Sequence, residues 1–132
     1  MILVDTSVWI DLFRASPGPA GQELRRLIQE SEPLALSGII VAEVLQGLRR
    51  EVEPIERYLS LWDLIEPQGF ETYRRAAALH RLARSRRITL ATIDALIATL
   101  ALENGVVLFS LDKDFRRLAR FTDLRLHLPL AG

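Results

Sequence analysis

Apolar positions along this chain follow two rhythms: short unbroken runs that suit buried strands, and stripes at helical spacing between them. Ile2–Val4 is the first such run. From Thr6 to Arg14, Trp9, Leu12 and Phe13 recur at helical spacing until Ser16-Pro17-Gly18-Pro19 breaks the pattern. Gly21–Ser31 reads as an amphipathic helix with Leu24, Leu27 and Ile28 on one side, and Leu34–Leu36 as a second short strand. Ser37 is placed to cap a helix from about Ile39 to Arg50. Pro54, near a helix start, opens a segment to about Leu64 with Ile55, Leu59 and Trp62 inward. Gln68-Gly69 separates it from a helix over 70–85 striped by Tyr73, Ala76, Leu79 and Ala83. Thr92–Glu103 is helical and stops at Asn104-Gly105, a C-cap pair. Val106–Phe109 is the clearest strand, and a short helix over 113–119 and a last strand over Leu124–Leu128 follow it. Short apolar strands alternating with helices predict an α/β sandwich whose mainly parallel central sheet is covered on both faces.

The chain's 132 residues, 49% apolar and 26% charged, match one globular domain with its own core, and no repeat or linker divides them. The absence of cysteine excludes a disulfide framework, a zinc–thiolate site and a cysteine nucleophile. The opening residues lack the basic start and long apolar run of a secretory signal, and no run approaches membrane-spanning length. The expectation is a cytoplasmic protein that does not cross a membrane. Net charge is zero, yet residues 1–66 carry −5 and residues 67–132 carry +5. That asymmetry either marks a polyanion-binding face or reflects ordinary solvated helix faces.

The acids sharpen this picture. In a parallel sheet of this kind, ligands bind beyond the carboxyl ends of the strands. Asp5 directly follows the first predicted strand, and Asp112 and Asp114, in "LFSLDKDF", follow the clearest later one. Glu43 and Asp94 lie inside apolar helical sequence, where acids are seldom buried without partners. Each has a simpler role open to it. Asp5, Asp112 or Asp114 can cap the helix that follows, Asp94 can favour a helix N-terminus, and Glu43 can face solvent. Taken together, several carboxylates in one pocket must protonate or hold a cation. Oxygen-only donors suit Mg²⁺ or Mn²⁺, which can activate water and neutralise a phosphodiester without any side-chain nucleophile.

Four segments in order, "ILVDTSVWIDL", "SGIIVAEVLQGL", "TIDALIATLA" and "VVLFSLDKDF", resemble a PIN-domain ribonuclease. Most closely they are similar to the VapC-type toxins of bacterial and archaeal toxin–antitoxin pairs, over nearly the whole chain. The resemblance implies a PIN-like three-layer α/β/α sandwich and a metal-dependent endoribonuclease. It implies an acidic cluster of Asp5, Glu43, Asp94 and Asp112. Asp5 and Asp94 would bind Mg²⁺ or Mn²⁺ directly, and Glu43 and Asp112 would complete the site directly or through water. Thr6 and Ser7 match the polar pair after the first acid, Thr6 orienting Asp5 or a water. Ser110 stands where a threonine is commoner, and Leu111 departs from the arginine or polar residue of many relatives. Family position favours Asp112 over Asp114, which is left as a supporting residue or a cap. Also implied are a homodimer, a small cognate antitoxin of the VapB type and a larger assembly of the two.

Positive charge offers the RNA contacts. Lys113, Arg116 and Arg117 lie beside Asp112, and "YRRAAALHRLARSRR" contains Arg86 and Arg87 among six arginines, each of which is equally a solvated surface residue. Trp9, Leu12, Phe13, Leu45 and Leu48 belong either to partner surfaces or to the core. His80 borders an apolar stripe, Trp62 reads as core, and His127 belongs to no motif. Two other functions stay open on the residues alone. One is a receiver-type phosphoacceptor domain, which also uses acids at strand ends but needs a further acceptor aspartate and a lysine after a later strand. The other is a non-catalytic RNA- or protein-binding module of PIN-like fold.

Overall fold

The structure, a computed structural model, describes residues 1–128. Its four strands are β1 (Ile2–Val4), β2 (Leu34–Ser37), β3 (Asp63–Ile65) and β4 (Val107–Phe109). They pair in the order β3-β2-β1-β4, every neighbour parallel. Leu3 pairs with Ala35 on one side and Leu108 on the other, and Val4 with Phe109. Successive strand residues face opposite ways, yet Leu3, Val4, Ala35, Leu36, Leu108 and Phe109 are all fully buried. Both faces of the sheet are therefore covered, which is why its strands read as continuous apolar runs.

Seven helices flank the sheet among the described residues: α1 (Thr6–Leu12), α2 (Pro19–Gln29), α3 (Gly38–Gln46), α4 (Val52–Leu59), α5 (Phe70–Ser85), α6 (Thr92–Asn104) and α7 (Lys113–Ala119). Helix α1 packs on α2 and α3, α3 on α4, and α5 on α6. This is the three-layer α/β/α sandwich expected. The chain steps outward from β1 through β2 to β3, then crosses back to place β4 on the other side of β1. The order in which strands are added therefore reverses between β1 and β4, and the crevice of such a fold opens at that switch point.

Local signals explain most boundaries. The Ser37 hydroxyl accepts from the Ile40 amide at 3.3 Å, capping α3 as expected. Gly105 ends α6 at φ +60°, a left-handed cap that glycine adopts without a Cβ penalty. Helix α2 starts at Pro19 rather than Gly21, because a first-turn proline forfeits no intrahelical bond. Its free amides are served from α1: the buried Asp11 carboxylate accepts from Gly18 N at 3.2 Å and Gly21 N at 2.7 Å. The sequence reading passed over Asp11, whose partners lie seven and ten residues away.

Several expectations fail. The helix expected to reach Arg50 ends at Gln46. The helix expected to run to about Leu64 ends at Leu59, and Asp63–Ile65 forms the edge strand β3 instead. With two of its three residues exposed, β3 shows no apolar run, and no glycine or proline punctuates the change. The strand over Leu124–Leu128 shrinks to one bridge, Leu126 beside Leu108. Tyr73 is 52% exposed and outside the α5 core stripe, whereas Ala76, Leu79 and Ala83 are buried. Trp9 is wholly buried among Phe13, Tyr58 and Trp62, and its indole N–H donates to Val4 O at 3.2 Å.

His127 turns out to be a structural anchor. Its Nε2 lies 2.7 Å from Glu23 Oε2 and its ring packs on Phe109, tying the end of the chain across β4 to α2. The Arg26 guanidinium, with its two N–H bonds, and then His127 hold the Glu23 carboxyl down at about 2 against an ordinary 4.5. A depressed folded-state value stabilises fully above 4.5 and ceases to do so as pH falls towards 2. Glu23→Gln is expected to unfold earlier than the wild type at neutral pH, by about 2 kcal/mol after solvent screening. Melting curves at pH 7 and near the acid limit check this, and a gap that persists undiminished in acid refutes it.

Candidate active site

Two strand ends build the centre of the site. The Asp5 amide donates to Phe109 O at 2.8 Å, extending the β1–β4 pairing one residue into the crevice. That bond fixes Asp5 beside the turn after β4. There Ser110 Oγ donates to Asp5 Oδ2 at 2.7 Å, and Ser7 Oγ donates to the same oxygen at 3.1 Å. Ser7 Oγ also accepts from the Leu111 amide at 3.1 Å, and Ser110 Oγ accepts from the Asp112 amide at 3.0 Å. Both serines thus couple the first acid to the loop that carries the last. The Thr6 hydroxyl goes to Glu43 Oε1 at 2.8 Å rather than to Asp5, orienting the α3 acid from the first turn of α1.

Asp112 is the N-cap of α7, its Oδ1 accepting from the Asp114 amide at 2.9 Å. Asp114 in turn takes an N–H from Arg117 at 3.3 Å. Asp112 thus fills the capping role that the sequence left open to it. Asp94 stands in the first turn of α6, half-buried.

Electrostatics brings these acids into one field. Burial, and then the negative charges of Asp112, Asp5, Glu43 and Asp114, push the Asp94 carboxyl up to about 6. Asp5 is also raised: burial outweighs the bonds from Ser110, the Thr6 amide and Ser7, and Glu43 adds to the rise. Among the described residues, no group of three or more His, Cys, Asp or Glu side chains is arranged so that it could hold a metal ion by itself. Mutually repelling carboxylates do not converge by themselves. Mg²⁺ needs only one or two of them, with waters and substrate oxygens for the rest. An all-oxygen, all-anionic donor set, with Asp94 destabilised in its charged form, fits a hard divalent cation.

The expected RNA-contacting residues divide. Arg86, Arg87 and Arg117 line one recess together with Arg120 and Phe121, which the sequence reading did not single out. Arg116 lines a different one with Ala119, Leu126 and Leu128, and Lys113 is exposed beside Asp112. Arg74 and Arg75, of the same arginine-rich run, are occupied by Glu71 and Glu103.

The all-parallel order β3-β2-β1-β4 puts Asp5 and Asp112 after the two adjacent strands between which the strand order reverses. The model of the PIN domain family matches residues 2–121, and the chain belongs to that family. More narrowly, it is 35% identical over 129 residues to ribonuclease VapC11 of Mycobacterium tuberculosis, covering 95% of this chain and 96% of that protein. Solved structures agree on the fold. FitAcB from Neisseria gonorrhoeae superposes with TM-score 0.79 at 23% identity over the whole of both chains. A toxin–antitoxin complex from Klebsiella pneumoniae does so with TM-score 0.70 at 24% identity, covering 87% of this chain and 90% of that one.

Proposed function

We propose that residues 1–132 act as one nuclease domain, a Mg²⁺- or Mn²⁺-dependent endoribonuclease of a toxin–antitoxin pair, working in the cytoplasm as a homodimer. The observation that carries this reading is the union of Asp5 with the Ser110–Asp112 turn at the sheet's switch point, within the field that raises Asp94. The VapC relative is a ribonuclease by name, and a chain of the same fold sits in a toxin–antitoxin complex. Asp5 and Asp94 would hold the ion, with Glu43 and Asp112 completing the site directly or through water. When bound, it supplies Lewis-acid charge that offsets the phosphodiester's own.

The chain's own groups do the rest. Ser7 and Ser110 hold the Asp5 carboxylate in one orientation, and Thr6 does the same for Glu43. Lys113, Arg116, Arg117, Arg86 and Arg87 supply the positive charge that a polyanionic strand requires near so many acids. For the antitoxin, α1 and α3 offer an apolar recess of about 210 Å³ lined by Ile10, Phe13, Val44 and Leu48. It suits the apolar face of a short helix.

The test is cleavage of end-labelled single-stranded RNA by the purified chain. Cutting is expected with Mg²⁺ or Mn²⁺, to vanish in chelator, to return with excess ion, and to stop when a VapB-type antitoxin is added. Undiminished cutting in chelator would overturn the metal assignment. Labelling of an aspartate by a small phosphodonor, without RNA cleavage, would turn the reading towards a receiver domain.

A further inference from the structure

The recess between the end of α5 and the end of α7 has a volume of about 390 Å³ and is lined by Arg86, Arg87, Ile88, Arg117, Arg120 and Phe121. Four arginines and no acidic residue line one small space. Among the described residues, Arg86, Arg87 and Arg120 make no ion pair, and Arg117 alone is shared, with Asp114. All four arginines are exposed, so solvent screens much of their repulsion and a bound anion relieves the rest. Phe121 lies beneath Arg86, whose guanidinium carbon sits 5.0 Å from the ring centre, so one guanidinium is held in a fixed plane.

The backbone supplies a second, independent observation. Arg87 adopts φ +62°, the left-handed position that ends α5, with its amide bonded to Arg84 O at 3.0 Å and the Ile88 amide to Ala83 O at 2.9 Å. Glycine is the residue that this position favours, because a Cβ is strained there. Arginine at this position, as with Ser31 at φ +56° and Glu51 at φ +60°, accepts backbone strain that glycine would avoid, and it puts a charged side chain at the mouth of the recess.

The recess also lies in line with the site. Asp112 caps α7 at one end and Arg120 closes it at the other, about 12 Å away along the axis. Between them Arg117 reaches back to Asp114, and the Asp114 amide bonds Asp112. A strand whose scissile phosphate sat at the acids would need only a few nucleotides to span this distance.

We propose that Arg86, Arg87, Arg117 and Arg120 form a phosphate-binding subsite for the flank of a single-stranded RNA substrate, with a neighbouring base stacked on the Arg86–Phe121 pair. This rests on the nuclease reading for its substrate but not for its test. Guanidinium forks match phosphate oxygens in pairs, and unstacked bases lie on arginine planes and aromatic rings. An acidic peptide shares the charge but has no use for the stacking platform.

The experiment measures fluorescence anisotropy of a labelled single-stranded RNA on the full chain carrying Asp94→Asn, so that binding is read without cutting. Adding Arg87→Gly and Arg120→Ala together is expected to weaken binding about tenfold or more. The slope of log affinity against log salt is expected to shrink by about 1.4, at roughly 0.7 per lost phosphate contact. Arg87→Gly alone is expected to weaken binding while melting no lower than its parent, a split that a merely structural arginine would not give. A double change of equal charge elsewhere, Arg49→Ala with Arg57→Ala, is expected to stay within twofold. Affinity and slope unchanged by the Arg87 and Arg120 substitutions overturn the subsite. So does retained RNA affinity with lost affinity for a polyglutamate peptide, which assigns the recess to a peptide. Weakened RNA binding by those variants, in a chain whose wild type cuts no RNA, supports the subsite and faults only the nuclease reading.

Discussion

Asp94→Asn is expected to lower RNA cleavage by about a thousandfold and, in the same protein, to raise the melting temperature in chelator. The two effects have one cause. Asp94 is pushed from 3.8 to about 6 by burial and by four neighbouring acids, so its charged form opposes folding at neutral pH. A group raised in the folded state destabilises fully above its folded value, and that penalty disappears as pH falls through 6 towards 3.8. After discounting for its partial exposure, removing the charge should return about 1–2 kcal/mol at pH 7, or roughly 3–8 °C. The advantage of the variant should narrow below pH 6 as the wild-type carboxyl takes up its proton. Mg²⁺ should raise the melting temperature of the wild type and leave the variant nearly unmoved, because only an intact site binds the ion in the folded state. Calorimetry with and without Mg²⁺, beside a cleavage time course, reads all of this. A folded variant that cuts as well as the wild type, or that melts lower in chelator, would contradict the role given to Asp94.

What the sequence could and could not reveal follows from how far each signal travels along the chain. Helix α6 was legible because thirteen residues of apolar periodicity end at a glycine whose φ of +60° suits no other residue as well. The buried strands were legible because both sheet faces are covered, so every position but Ser37 is apolar. The edge strand β3 was not, because two of its three residues face outward and its pairing partner lies nearly thirty residues earlier. The acids stood out one by one, as charge in apolar surroundings. Their supports Thr6, Ser7 and Ser110 stood out only through the family resemblance, and their partners did not: Ser110 reaches Asp5 across 105 residues, and Thr6 meets Glu43 across 37 instead of Asp5. The pocket of arginines was partly legible for the same reason: Arg86 and Arg87 lie in a visible basic run and Arg117 lies near Asp112, while Arg120 and Phe121 join them only where the residue after α5, Arg86, meets Phe121 beyond α7.

Gly21→Ala is expected to destabilise the protein by about 2–3 kcal/mol, although alanine favours helices by nearly 1 kcal/mol over glycine. The reason is contact rather than conformation. A Cβ at position 21 would lie 2.8 Å from Leu12 N and 2.9 Å from the Asp11 carbonyl carbon, both backbone atoms of α1 that cannot swing aside. Helix α2 can accept the methyl only by moving off α1. That movement also stretches the 2.7 Å bond from the Gly21 amide to the buried Asp11 carboxylate, which then loses a partner it cannot replace from solvent. The fall in melting temperature should be roughly 6–15 °C. Function should suffer beyond stability, since α1 begins at Thr6 and Ser7, the hydroxyls that orient Glu43 and Asp5. Cleavage per folded molecule should therefore drop, measured well below the melting point of the variant. Gly47→Ala is the control: the nearest atoms to its added Cβ are carbonyl oxygens at 3.7 Å, ordinary contact distance, so it should melt within about 1 kcal/mol of the wild type. Equal melting of the two variants would show that α1 and α2 yield to each other more readily than their backbone contact allows.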